Sequence, residues 1–138
     1  MTVRQAAAIA AGAVVGAGLR WATMRVLGDD GSDVALLVAN VIGCCLLGAV
    51  MCVPATGPHV ERTTAFTGAG FCGSLTTWSS LALAAAVDVR AGRWAEASSW
   101  ISANVAFGLV AAFIGVRIGS ALWPLEPGSD GGRRAGVA

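Results

Sequence analysis

Gly68-Ala69-Gly70-Phe71-Cys72-Gly73-Ser74-Leu75-Thr76-Thr77-Trp78-Ser79-Ser80 lies inside an uncharged stretch that runs from Thr63 to Val87. A stretch of that length can cross a bilayer core, which takes about 20 helical residues for about 30 Å. Its middle, however, carries three glycines and five hydroxyl side chains. Glycine weakens a helix, and clustered Ser and Thr offer the backbone other hydrogen-bond partners. Two readings are open. In one, the helix is continuous and packs through its small residues, with the hydroxyls bonded to their own backbone. In the other, the helix is broken, which is tolerated at this depth only where it is buried in protein or lines a cavity. Free carbonyls at such a break can coordinate a cation.

The rest of the chain places this stretch third in a series. Val34–Val60 is uncharged, with an apolar part from Val34 to Val53, and Ala97–Val116 is a second such run. Gln5–Leu19 is uncharged up to Arg20, and apolar character resumes to Leu27, so it spans if Arg20 and Arg25 snorkel to an interface. Of the 138 residues, 56% are hydrophobic and 12% charged, about half the charge of a soluble domain. The charges collect between the runs, which excludes a soluble globular domain. A net charge of +1 offers no basic patch for nucleic acid. The expectation is an all-α membrane protein of four transmembrane helices, with a break in the third. Residues 1–123 form one transmembrane domain, and residues 124–138, Gly-rich and charged, form a disordered tail.

The turns are short. Gly28-Asp29-Asp30-Gly31-Ser32-Asp33 ends the first span, with Ser32 or Asp33 as a cap for the second. Pro54-Ala55-Thr56-Gly57-Pro58 ends the second, and Asp88–Glu96 separates the third from the fourth. Arg4 before an Ala-rich stretch resembles a signal peptide, but no small-x-small cleavage site follows Leu19. Trp21, Trp94, Trp100 and Trp123 fall near span ends, as an aromatic belt requires, whereas Trp78 lies mid-span. Arg4, Arg62, Arg117, Arg133 and Arg134 on one side nearly balance Arg20, Arg25, Arg90 and Arg93 on the other. The positive-inside rule therefore assigns no orientation.

Within these spans there is no Asp, Glu or His, and the serines have no His partner. Acid–base catalysis, a metal-ligand cluster and a proton relay all lack their groups, which counts against an enzyme and against a small multidrug antiporter. Cys44, Cys45, Cys52 and Cys72 form no CxxC pair and read as small apolar fillers, and His59 reads as solvent-facing. A neutral polar track remains, suited to a solute that takes hydrogen bonds rather than a counter-charge. Asn40 in the second span and Asn104 in the fourth extend the hydroxyls of the third. Either amide alone reads as interhelical glue of about 1 kcal/mol. Trp100, Asn104 and Gly108 share one helical face. Gly12/Gly16 and Gly115/Gly119 are spaced for close helix packing.

Together these residues resemble a known family. Gly73-Ser74-Leu75-Thr76-Thr77-Trp78-Ser79-Ser80-Leu81 is similar to the GGLTTFSTF signature of the Fluc (CrcB-type) fluoride channels. Gly12-Ala13-Val14-Val15-Gly16-Ala17-Gly18-Leu19-Arg20-Trp21 resembles that family's N-terminal GGxxGAxxRY, and Asn40-Val41-Ile42-Gly43 its NxxG segment. The resemblance covers about residues 6–120.

What the resemblance implies is a passive fluoride channel in the cell membrane, built as an antiparallel dimer with two narrow pores and a central structural Na⁺. The Na⁺ would be held by the carbonyls of Gly73 and Thr76 from both subunits. Asn40 would be the pore amide, with Thr77, Ser79 and Ser80 as hydroxyls along the path. Trp78 and Leu81 stand where the family has two pore-lining phenylalanines, Trp100 where a tyrosine is usual, and Asn104 where a small polar residue is usual. The partners implied are the fluoride ion, membrane lipid, and a second copy of the chain or a paralogous subunit that restores the phenylalanines. A small four-helix multidrug-type exporter and a non-conducting membrane scaffold are the alternatives.

Overall fold

The computed structural model describes residues 2–27, 34–54 and 58–124. The proposed Ser32 or Asp33 cap and residues 125–138 of the tail lie outside them. Among the described residues the chain is all-helical: α1 (Val3–Leu27), α2 (Val34–Val50), α3 (Pro58–Thr64), a π-helical stretch (Ala65–Cys72), α4 (Gly73–Leu75), α5 (Trp78–Arg90) and α6 (Trp94–Leu122). The expected four spans are present. α1 and α6, of 25 and 29 residues, are long and apolar enough to cross a bilayer, as is the segment His59–Arg90 of 32. α2 has 17 residues, at the short end of the spanning range.

Two helix pairs make the body. α1 packs on the π-helical stretch and α2 packs on α6, while α5 leans on α6 and α1 touches α2. Lipid offers no hydrophobic drive for helices to associate, so they must approach closely through small residues. The glycines supply that approach. A Cβ on Gly115 would overlap the Cys45 carbonyl, and one on Gly48 would overlap that of Ala112. Gly12 and Gly16 lie in the same way against the carbonyls of Phe66 and Phe71, and a Cβ on Gly70 would fall 2.5 Å from the Ile9 oxygen. The spaced glycines of α1 and α6 thus do what their spacing implies.

The third span is interrupted, which decides between the two readings of its sequence. α4 ends at Leu75, Thr76 is extended (φ −78°, ψ 150°), Thr77 is extended (φ −149°, ψ 115°), and α5 begins at Trp78. The break falls on the paired threonines and not on the glycines. Branching at Cβ restricts their side chains and favours extended backbone, while Gly70 is taken up by contact with α1. The π-helical turn ahead of the break, eight residues long, has no counterpart in the sequence reading. Such turns are rare and cluster at functional sites.

Candidate functional site

The break exposes backbone groups in the middle of a span, and two of the N–H groups are answered by named side chains. In a continuous helix Thr77 N–H would donate to the Gly73 carbonyl. Here it donates to Asn40 Oδ1 of α2 at 2.8 Å. Ser80 N–H, which would reach the Thr76 carbonyl, donates instead to Thr77 Oγ1 at 3.2 Å, so Thr77 caps α5. The carbonyls of Gly73 and Thr76 are thereby released from helical bonding. These are the two that the resemblance assigns to Na⁺. Uncharged carbonyls at an unwound helix are suitable ligands for a hard monovalent cation, so the residues present fit such an ion.

α2 is shaped for this junction. Asn40 and Gly43, three residues apart, share a face. Asn40 bonds the backbone of Thr77, and Gly43 leaves room for the Thr76 methyl, which a Cβ at residue 43 would overlap. Asn40 Nδ2 also donates to Asn104 Oδ1 at 3.1 Å, and Asn104 Nδ2 donates to the Trp100 carbonyl at 3.1 Å. The two asparagines singled out in the sequence therefore meet. They join α2, the break and α6 in one chain of hydrogen bonds.

A groove of about 370 Å³ opens beside that chain, lined by Asn40, Thr76, Thr77, Trp78, Leu81 and Asn104 among others. Thr77 and Asn104 are buried at 7% and 6% exposure, and Leu81 is buried at 1%. Trp78 is 66% exposed. No charged side chain lines the groove. Ser79, Ser80 and Trp100, also named from the sequence, are not among its lining residues. Ser79 and Ser80 hydroxyls lie 3.2 Å and 3.1 Å from Thr77 Oγ1. Trp100 contributes its carbonyl to Asn104, and its buried indole Nε1 has no hydrogen-bond partner among the described residues. Cys44, expected from the sequence to be a small apolar filler, also lines the groove. Its position one turn after Asn40 was the available signal. Gly73 and Thr76 also border a second groove of about 700 Å³ that extends to Gln5 and Glu61.

The groove beside the broken third span thus holds the Asn40 and Asn104 amides and the Thr76 and Thr77 hydroxyls among apolar neighbours. The family described as CrcB-like protein, Camphor Resistance (CrcB), matches residues 7–116. The chain belongs to this family. It is 43% identical over 119 residues to a fluoride-specific ion channel, FluC 2, of Synechococcus sp. strain CC9605, covering 86% of this chain and 83% of that protein. It is 37% identical over 114 residues to FluC 2 of Rhodococcus jostii strain RHA1, covering 81% and 96%. It is 36% identical over 121 residues to FluC 1 of Streptomyces avermitilis, covering 83% and 95%. As a CrcB-like protein with several apolar spanning helices, it is a multi-pass membrane protein.

Proposed function

We propose that this chain is one subunit of a passive, fluoride-selective ion channel through which fluoride leaves the cytoplasm. The observation that carries the reading is the groove beside the break, where amide and hydroxyl groups gather with no charged side chain. Fluoride is small and strongly hydrated, so a dry path must replace its water with hydrogen-bond donors. A fixed positive charge would hold the ion, whereas N–H, O–H and the positive edge of an aromatic ring let it pass on. Asn40 and Asn104 bring amide N–H groups to the groove, Trp78 brings an indole ring and Leu81 an apolar wall, while Ser79 and Ser80, bonded to Thr77 Oγ1, and Trp100, bonded to Asn104, stand outside its lining. The names of the relatives agree with this solute.

Trp78 and Leu109, which line the groove, are 66% and 68% exposed, so a closed path needs a second subunit, which we take to be an antiparallel copy or a paralogue. In that assembly the released carbonyls of Gly73 and Thr76 would hold a structural Na⁺ together with the partner's equivalents. The bound ion would supply positive charge that fixes the break. The test is fluoride efflux from liposomes, with the chain alone and with a paralogous four-span protein. Efflux selective for fluoride over chloride is expected. Absence of efflux from every assembly, under conditions where a known channel works, overturns the reading. Exchange of Na⁺ for N-methyl-D-glucamine should weaken dimer assembly, and indifference to that exchange removes the Na⁺ from the account.

A further inference from the structure

We propose that Asn104 is a specificity-determining residue that acts through Asn40, fixing both amides so that one N–H of each stays free to meet an ion. The inference rests on the fluoride-channel reading of the same groove and goes beyond it. The hydrogen-bond chain has two ends, and neither can be reversed. At one end is Thr77 N–H, a backbone group that only donates, which binds Asn40 Oδ1 at 2.8 Å. At the other is the Trp100 carbonyl, which only accepts, from Asn104 Nδ2 at 3.1 Å. Between them Asn40 Nδ2 donates to Asn104 Oδ1 at 3.1 Å.

Rotating the Asn40 amide by half a turn would set its NH₂ against Thr77 N–H and its oxygen against the Asn104 oxygen. Rotating Asn104 would set oxygen against the Trp100 carbonyl. Both are repulsive, so one orientation of the pair survives. An Asn amide carries two donor hydrogens and one acceptor oxygen. In the surviving orientation each oxygen faces an N–H and each nitrogen has one hydrogen committed. What is left over is one N–H on Asn40 and one on Asn104. Both residues line the groove, and Asn104 is buried while Asn40 is half-buried, so water competes least for the Asn104 hydrogen. The pair offers an anion two N–H donors whose orientation is fixed. Without Asn104 its own spare donor disappears, the Asn40 hydrogen it engaged is freed but no longer directed, and the remaining amide is held at one end only.

The sequence makes this directly observable. Asn40, Asn104 and Gln5 are its only carboxamide side chains, so an ¹⁵N spectrum of side-chain NH₂ groups contains three pairs. The purified full-length protein in detergent is titrated with sodium fluoride and, separately, sodium chloride, and the same preparation is tested for flux in liposomes. Saturable shifts of the Asn40 and Asn104 pairs with fluoride are expected, with none from chloride and none at Gln5. In Asn104→Ala the fluoride concentration for half-shift at Asn40 should rise at least tenfold. Asn104→Ser, which keeps an acceptor for Asn40 but no amide hydrogens, should lie between and stands in if the alanine variant does not assemble. Equal half-shift concentrations at Asn40 in wild type and both variants overturn the proposal. So do unmoved asparagine signals in a protein that conducts fluoride. Fluoride-responsive amides in a protein that conducts nothing would sustain the donor pair and overturn the channel.

Discussion

Replacing Asn40 by alanine should be the most damaging polar-to-apolar change in the spans, because it removes the acceptor that makes the helix break tenable. Thr77 is 7% exposed, and its N–H donates to Asn40 Oδ1 at 2.8 Å. A buried N–H left without a partner costs about 1–3 kcal/mol. The Asn40–Asn104 bond is lost as well, and side-chain bonds between membrane helices average about 0.6 kcal/mol. Taken together, Asn40→Ala should lower the unfolding free energy by about 2–4 kcal/mol. Asn104→Ala leaves the Thr77 bond in place and removes the amide–amide bond and the bond to the Trp100 carbonyl, an acceptor within a helix that keeps its own ladder. Its loss should be about 0.6–1.7 kcal/mol. Reversible unfolding in mixed micelles, followed by tryptophan emission, measures both. The ordering is the sharp part of the prediction. A loss for Asn40→Ala no greater than for Asn104→Ala would show that Thr77 N–H finds another acceptor, and that α2 does not hold the break.

Three further outcomes are expected. Gly115→Val should abolish the assembled protein in detergent, because a Cβ there overlaps the Cys45 carbonyl, whereas Gly18→Ala, with nothing within 4 Å, should raise stability by about 0.5–1 kcal/mol; size-exclusion yield and unfolding midpoints check the contrast. Thr77→Ala removes the oxygen that accepts Ser80 N–H and should cost about 1 kcal/mol, with most of it restored in Thr77→Ser by the same unfolding measurement. Trp100→Phe removes an indole N–H that has no partner among the described residues, so its unfolding midpoint should hold while fluoride flux falls; unchanged flux would take Trp100 out of the conduction path.

The sequence by itself determined the class and the number of spans, because apolar stretches of spanning length with charges only between them have no stable arrangement in water. It also gave away the helix contacts, since Gly12, Gly16, Gly115 and Gly119 recur on one face at intervals that bring backbones together. What it left open was the state of the third span. Glycines and hydroxyls permit a break without requiring one, and the choice depended on whether a buried acceptor stood opposite the freed N–H. That acceptor, Asn40 Oδ1, comes from a residue 37 positions earlier. The meeting of Asn40 with Asn104, 64 positions apart, was likewise invisible. Each looked like glue when read in its own helix. Only the close packing of α2 on α6, through Gly48 and Gly115, brings the two amides within hydrogen-bond reach. The tertiary structure also placed the break at Thr76 and Thr77 in preference to the glycines, because Gly70 was already committed to contact with α1 and Gly43 had left space for the Thr76 methyl. Local sequence sets which conformations are cheap, and long-range contact decides which of them has its hydrogen bonds completed.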